Sequence, residues 1–419
     1  MSLLGLNNYS ETFDWIVVGG GISGVSIAEI LCREGKSVLL VEKNSQLVSE
    51  TSKVFHEWMH SGALYSLVPD NLLTLRYLLG ATDDLFEFYN SFSRMNLTPT
   101  ESGVKVANYG WFNRDQIEYR YRINKLNPIW MSLVSRSINI IDLLSNHDWL
   151  RRRAGSEYGR SNIRMSHWYN FITRQIKSQS KFYLKQSPDL TMNSRVLISD
   201  LLSAALHKGL TVVTGTEITT INDNGEFIEV EGQDVVYRAN KVVICSPDLI
   251  SEQLKVPIKT SYAPIAVVEN VPEEEVSFVE LDYNTKNCIN LLIKDGNVGQ
   301  AGGITVNHLN DVESYLEYII REHKKRNPKI EVIDSYIGLK KELVQKGENR
   351  NYLYHINQNS SNIWSVVLGK FTLAFSMAPE FYRRVYHANP STVVGDFIES
   401  EHNDLLSKTS WQEIMLKNR

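Results

Sequence analysis

Apolar side chains first cluster in an uninterrupted run, Trp15-Ile16-Val17-Val18. Its β-branched content and lack of alternation predict a strand buried on both faces. The turn Gly19-Gly20-Gly21-Ile22-Ser23-Gly24 follows, and 25–31 then takes helical spacing and stops near Gly35. A second buried run over 37–41 is closed by Glu42, completing a strand–turn–helix–strand unit. Leu72, Leu75, Leu78, Leu79, Leu85, Phe86 and Tyr89 share one face of a predicted helix over 71–90. Residues 194–205 read as a helix and 209–213 as a strand. The stretches 265–271, 276–281, 288–294 and 301–306 read as strands between turn residues, suited to an antiparallel sheet. A polar-faced helix is expected over 311–326.

The glycines of the first turn each have a physical role. Gly19 permits a tight exit from the strand, Gly21 lets backbone approach a pyrophosphate, and Gly24 lets the helix pack against the strand. The N–H groups of Ile22 and Ser23 open the helix at its positive end, where an anion is held. Glu42 lies eighteen residues after Gly24, near the distance expected of a carboxylate that accepts ribose hydroxyls. It would repel a 2′-phosphate, which disfavours NADP. The unit implies an adenine dinucleotide and leaves FAD and NAD both open.

Composition narrows the picture modestly. At 419 residues the chain exceeds the roughly 250–300 at which one core stops growing, so two domains are expected. Basic and acidic residues nearly cancel, to a formal −4, which is a poor match for a nucleic-acid binder. The three cysteines, Cys32, Cys245 and Cys288, form no zinc or disulfide pattern, and a reducing, cytoplasmic setting is expected. No metal box, secretory signal or membrane-spanning run is legible. Between 108 and 187 the chain carries Trp111, Tyr119, Tyr121, Trp130, Trp149 and Trp168. Over 151–185 it carries nine Arg and Lys against Glu157 alone. Such a segment suits an anionic substrate, a protein partner or a membrane surface, or else a solvated helical face over core aromatics.

Thr51-Ser52, His60, Gly62 and Tyr65 follow a spacing that resembles the segment after the second strand in the D-amino-acid oxidase superfamily of flavoproteins. The likeness is closest to its glycerol-3-phosphate dehydrogenase and L-2-hydroxyglutarate dehydrogenase branches. Val54-Phe55-His56-Glu57 replaces the serine-rich middle of that segment. The stretch 189–220 resembles the family's linker, helix and next strand, with Glu217-Ile218 where backbone lies against adenine. The stretch 239–247 resembles the strand returning to the dinucleotide, with Ser246-Pro247 where a glycine is usual. Gly369-Lys370-Phe371-Thr372 resembles the C-terminal signature at the flavin-ring and ribityl end.

The resemblance therefore implies FAD and an α/β fold. A discontinuous Rossmann-type FAD-binding domain would comprise 1–107, 188–258 and 345–419. An inserted α+β substrate domain, built on an antiparallel sheet, would comprise 108–187 and 259–344. Implied cofactor contacts are Gly19, Gly21, Ile22, Ser23, Gly24, Glu42 and Lys43, then Thr51, Ser52, His60 and Gly62. The later part of the chain adds Ile218, Ser246, Gly369, Lys370, Phe371 and Thr372.

In that superfamily the flavin carries the redox chemistry and the protein orients the substrate. His60 is the first catalytic candidate, as base for an alcohol, with a backbone-bonding histidine as the competing reading. Covalent flavin attachment at His56 or His60 is an alternative. Lys340, in Ile337-Gly338-Leu339-Lys340-Lys341, resembles the step where relatives place a substrate-anion-binding arginine, though a surface lysine is also open. Lys370 is placed to stabilise negative charge on the reduced ring. Tyr262, Tyr336 and His355 are weaker pocket candidates, with a structural role the favoured reading for each. The expected activity is FAD-dependent oxidation of a small polar, potentially anionic substrate at a C–H beside oxygen or nitrogen, with an alcohol favoured. An amine or amino-acid oxidase, and a flavoprotein partner or maturation factor acting on a protein, are the alternatives.

Overall fold

The first strand is longer than its apolar run: Asn7–Val18 pairs in parallel with Val235–Ile244 on one side and Val38–Val41 on the other. In this computed structural model, residues 7–65, 73–100, 103–122, 129, 176–179, 182–282, 287–344 and 350–418 are described. Thr211–Val213 extends the parallel ladder beyond Val38–Val41, and Ile363–Leu368 extends it beyond the C-terminal half of Val235–Ile244. Tyr354–Gln358 closes that edge antiparallel. The first half of Val235–Ile244 begins an antiparallel meander with Ile228–Gly232 and Ile218–Asp223. The result is an eight-stranded, mostly parallel Rossmann-type sheet.

Alternation along the central strand sorts its two faces. Trp15 and Val17 pack beneath four helices, Ile22–Arg33, Leu73–Phe88, Ser194–His207 and Ala374–Tyr386. Ile16 and Val18 pack on the other face with the meander and Leu249 and Ile250 of the short helix Pro247–Leu254. That helix explains Pro247 in place of glycine. Proline sits at the first helical position, and the Ser246 hydroxyl caps the helix by accepting from Leu249 N–H at 3.5 Å.

The second sheet has nine strands. From one edge they run Glu331–Leu343, Ile258–Glu269, Val298–Gly303, Asn287–Asp295, Phe278–Asp282, Phe112–Arg122, Phe182–Met192 and Trp58–Met59, with Ile176–Gln179 beside Phe182–Met192. The antiparallel expectation needs one correction: Phe278–Asp282 pairs with Phe112–Arg122 in parallel, because long connections bring these strands together. The strand expected at 301–306 runs Val298–Gly303. Gly296, at φ +55°, turns the chain tightly out of Asn287–Asp295 and starts the return strand three residues early. Helix Val312–Arg326 covers one face over Phe278, Ile289 and Leu291.

Most of the basic aromatic segment lies outside the described residues. Of its aromatics, Trp111 and Tyr119 are core residues: the indole donates to Asp200 at 2.7 Å and the phenol to Asp189 at 2.9 Å. No helix among the described residues is long and apolar enough to cross a membrane.

Candidate active site

A cavity of about 550 Å³ runs between the two sheets. Val18, Val41, Cys245, Val366 and Leu368 reach it from the first sheet, and Ala263, Ile265, Asn290, Gly338 and Lys340 from the second. At one end stand Gly19, Gly21, Ile22, Ser23, Glu42, Lys43, Thr51, Ser52, Ile218 and Ser246. At the other stand His60, Lys340, Gly369, Lys370 and Phe371. Folding thus brings the opening turn and the closing Gly-Lys-Phe step to one cavity.

The turn end is built from backbone. Gly19 adopts φ +109°, and a Cβ on Gly24 would fall 1.9 Å from the Gly19 carbonyl oxygen, so only glycine lets helix and strand meet there. Helix Ile22–Arg33 starts at Gly21 with no side-chain cap. Ile22 N–H donates to the Ser52 hydroxyl at 3.1 Å, which ties the Thr51–Lys53 turn to the helix start. The Glu42 carboxylate accepts from Gly20 N–H at 2.7 Å and from the backbone and side chain of Asn44 at 2.9 and 2.8 Å. These bonds aim the carboxylate at the cavity wall and leave it acceptor capacity. Lys43 pairs with Glu50 at 3.4 Å near solvent.

Gly24, Gly62 and Thr372 do not line the cavity; they shape its walls. Gly62, at φ +99°, lies against Leu75 and Leu78 of the Leu73–Phe88 helix. The Thr372 hydroxyl accepts from His60 N–H at 3.1 Å, joining the two distant chain segments beside the ring end. Phe55 stacks on Phe371 at 4.3 Å across the same junction.

At the ring end His60 stacks on Trp58 at 4.3 Å and meets the edge of Tyr65 at 5.8 Å. Its Nδ1 has no hydrogen-bond partner among the described residues and lies 3.9 Å from the Asp189 carboxylate. Asp189 is held by Trp58 Nε1, Ser61 N–H and hydroxyl, and the Tyr119 hydroxyl. Burial, then the charges of Lys370 and Lys340, hold His60 well below the usual histidine range, so the imidazole is neutral.

Three cations face this end. Lys370 lies 4.6 and 4.7 Å above the rings of Tyr65 and Tyr352, and burial and Lys340 hold its amine well below the ordinary lysine value. Lys340 is partly buried rather than a surface lysine; burial and nearby Arg350 bring it down to about 8. Arg350 grips Glu342 with two bonds of 2.7 and 2.9 Å. Glu342 and Asp189 are the carboxylates that oppose these groups. Lys341, the neighbour of Lys340, also lines the cavity and pairs there with Asp248.

Arg350, Tyr352, Asp189 and Asn290 carry no motif, and their place became visible only on folding. Tyr262, Tyr336 and His355 do not line the cavity. Ala263 and Ile265 face it, so alternation turns Tyr262 away; Tyr336 binds Gln300 beside Trp411; His355 lies on the edge strand Tyr354–Gln358. Among the described residues no acidic, histidine and cysteine group could hold a metal.

A bare glycine turn at a helix start, a carboxylate at the end of the second strand and a continuous channel to Lys370 fit an extended dinucleotide. The comparisons agree. The family model for FAD-dependent oxidoreductases of the DAO type matches residues 14–296, and the chain belongs to that family. It is an FAD-dependent oxidoreductase. Among solved structures, the FAD-bound L-α-glycerophosphate oxidase of Mycoplasma pneumoniae is similar with TM-score 0.64 at 16% identity, over 96% of this chain and 100% of its own. Glycine oxidase from Geobacillus kaustophilus gives TM-score 0.64 at 12% identity, over 94% and 100%. NikD, an amino acid oxidase of nikkomycin biosynthesis, gives 0.62 at 13%, over 96% and 98%. These likenesses show the fold. A stretch of 49 residues is 49% identical to UDP-galactopyranose mutase of Mycoplasma pneumoniae, spanning 11% of this chain and 12% of that protein's length.

Proposed function

We propose that this oxidoreductase acts on a small anionic 2-hydroxy compound, a carboxylate or a phosphate ester, and takes hydride from the carbon bearing the hydroxyl. The observation that carries the reading is the meeting of neutral His60 with Lys340, Arg350 and Lys370 at the cavity end away from the glycine turn. FAD would be held by Gly19, Gly21, Ile22 and Ser23 at its pyrophosphate, with Gly24 packing the helix close behind them, and by Glu42 and Lys43 at its ribose. Thr51, Ser52, Ile218 and Ser246 would flank the adenosine half, and His60, Gly369, Lys370 and Phe371 the ring half, with Gly62 and Thr372 supporting the wall behind them. When bound, FAD supplies the hydride acceptor.

The remaining work falls to the chain. Lys340 holds the anion and orients the substrate. His60, unprotonated, accepts the hydroxyl proton. Lys370 offsets negative charge that develops at the ring end. Amine oxidation is the second reading, since a neutral imidazole also accepts a proton from an ammonium, but the three cations oppose an ammonium and favour the alcohol. The protein-partner alternative rested on the basic aromatic segment, which lies mainly outside the described residues, and on the lysine that stands where relatives place a substrate-binding arginine.

In this reading 1–107, 188–258 and 345–419 form the nucleotide-holding domain, 108–187 and 259–344 cover the substrate, and the protein works in the cytoplasm. Anaerobic mixing of the yellow protein with hydroxy acids, polyol phosphates and amino acids tests it. Bleaching by a hydroxylated anion is expected. Bleaching by amines alone overturns the alcohol assignment.

A further inference from the structure

Two polar atoms near the ring end have no hydrogen-bond partner among the described residues and no part in the reaction just proposed. They are His56 Nε2 and Asn290 Oδ1. Both side chains line the cavity, and Asn290 is only 2% exposed. A buried polar atom left unpaired is costly, so such an atom calls for a physical reason. Gly302, opposite Asn290 in the strand pairing, brings the two together. A Cβ there would sit 2.0 Å from His56 Nε2 and 3.2 Å from Asn290 Oδ1. The imidazole therefore lies against bare backbone, and both atoms converge on one spot.

We propose that His56 and Asn290 form a subsite for a second, neutral hydroxyl of the substrate, one carbon beyond the carbon that is oxidised. The inference rests on the reading of the cavity as an anion-oxidising site and narrows its substrate to a polyhydroxylated anion. Asn290 Oδ1 can only accept a hydrogen bond, so the ligand must donate one. An ammonium would donate as well, but Lys340 and Lys294 lie close enough to His56 to oppose a second cation. Together with burial they push its imidazole down to about 3, so His56 is itself neutral at working pH. A hydroxyl donates to Asn290 and exchanges a bond with the neutral ring; a methyl in its place leaves both atoms unpaired. That asymmetry is how a polar pocket rejects an analogue lacking one hydroxyl.

The test uses the holoprotein and pairs of anions differing by that one hydroxyl: glycerate against lactate, glycerol 3-phosphate against propane-1,2-diol 1-phosphate, and serine against alanine. Affinity is read from the flavin absorbance change and turnover from anaerobic bleaching. At least one pair should favour the hydroxylated member by roughly tenfold or more. In Asn290→Leu and His56→Phe that preference should fall to within about twofold, with the deoxy member bound as before and the melting temperature kept or raised, since an unpaired polar group has been removed. Equal affinity within every pair overturns the subsite and leaves the anion reading standing, as does a preference that survives both variants. Silence from all pairs overturns both. Gly302→Ala is a second check, because its Cβ displaces the imidazole; it should mimic His56→Phe if the subsite is real.

Discussion

Glu57 and Lys294 form an ion pair of 2.9 Å in which neither side chain is more than 4% exposed. Glu57 stands between cavity-lining His56 and Trp58, at φ +58°. The oxygen that pairs with Lys294 also accepts from the indole of Trp411 in the C-terminal helix Ser410–Asn418, and the other accepts from the N–H and hydroxyl of Ser194, at the start of helix Ser194–His207. Lys294 in turn donates to the His56 carbonyl at 2.9 Å. One carboxylate thus pins the wall carrying both histidines to the first sheet's helices, the second sheet and the C-terminus. Removing one partner of a buried pair leaves an uncompensated charge, so Lys294→Met should destabilise by about 3–5 kcal/mol. Lys294→Met with Glu57→Gln should recover part of that loss. Denaturant unfolding checks both, and a loss below about 1 kcal/mol in the single variant would show the pair to be dispensable.

Gly24→Ala should yield protein with little bound FAD. The added Cβ would meet the Gly19 oxygen at 1.9 Å, and backbone on both sides cannot yield without moving the helix off the strand. Overpacking of this kind costs about 1–3 kcal/mol or more and shifts the helix start that faces the cavity. The ratio of flavin to protein absorbance after purification measures it. Gly35→Ala is the control: its Cβ meets nothing, so FAD should stay, with only the strain of φ +72°.

Anion binding should weaken in alkali. Lys340 titrates at about 8, lowered by burial and by Arg350, so it is charged below that pH and neutral above it. The sign follows directly: KM for an anionic substrate stays flat up to about pH 8 and rises beyond it. In Lys340→Arg the rise should move beyond the accessible range, because guanidinium does not lose its proton. A KM that rises identically in both proteins would remove Lys340 from the anion site.

The flavin should come free on denaturation. His56 Nε2 faces Gly302 of the second sheet, and the His60 ring is packed between Trp58 and Tyr65. Acid precipitation should leave the yellow species in the supernatant; colour retained in the pellet would reassign one of these histidines to covalent attachment.

Local chemistry made the dinucleotide end legible and left the substrate end obscure. Gly19, Gly24 and Glu42 act through backbone contacts within a few dozen residues, so their spacing records their purpose. Asn290 reaches the cavity from strand Asn287–Asp295, and Arg350 from outside the strands, where Glu342 of strand Glu331–Leu343 holds it. Nothing in their neighbours marks them. Lys340 was readable through a family step, but its burial was not, since that depends on Arg350 and the opposing wall. Tyr336, a weak pocket candidate set against a structural reading, packs with Trp411 of the C-terminal helix.

His60→Ala should slow flavin reduction by roughly 10²-fold or more with FAD retained, the range expected for loss of a positioned base. FAD retention is expected because the residue's tie to the ring-end segment is its backbone N–H to Thr372, which alanine keeps. The pH profile separates catalysis from support. His60 is held well below the usual histidine value by burial and by Lys370 and Lys340, so it stays unprotonated as pH falls through 6.5. Turnover should therefore show no acid limb there, and any limb from His60 belongs at lower pH. Lys370→Met removes one of the two cations that depress it, so that limb should move upward toward 6.5. A limb near 6.5 in the unaltered enzyme, or reduction unchanged in His60→Ala, would make the imidazole a structural partner of Trp58 instead of the proton acceptor.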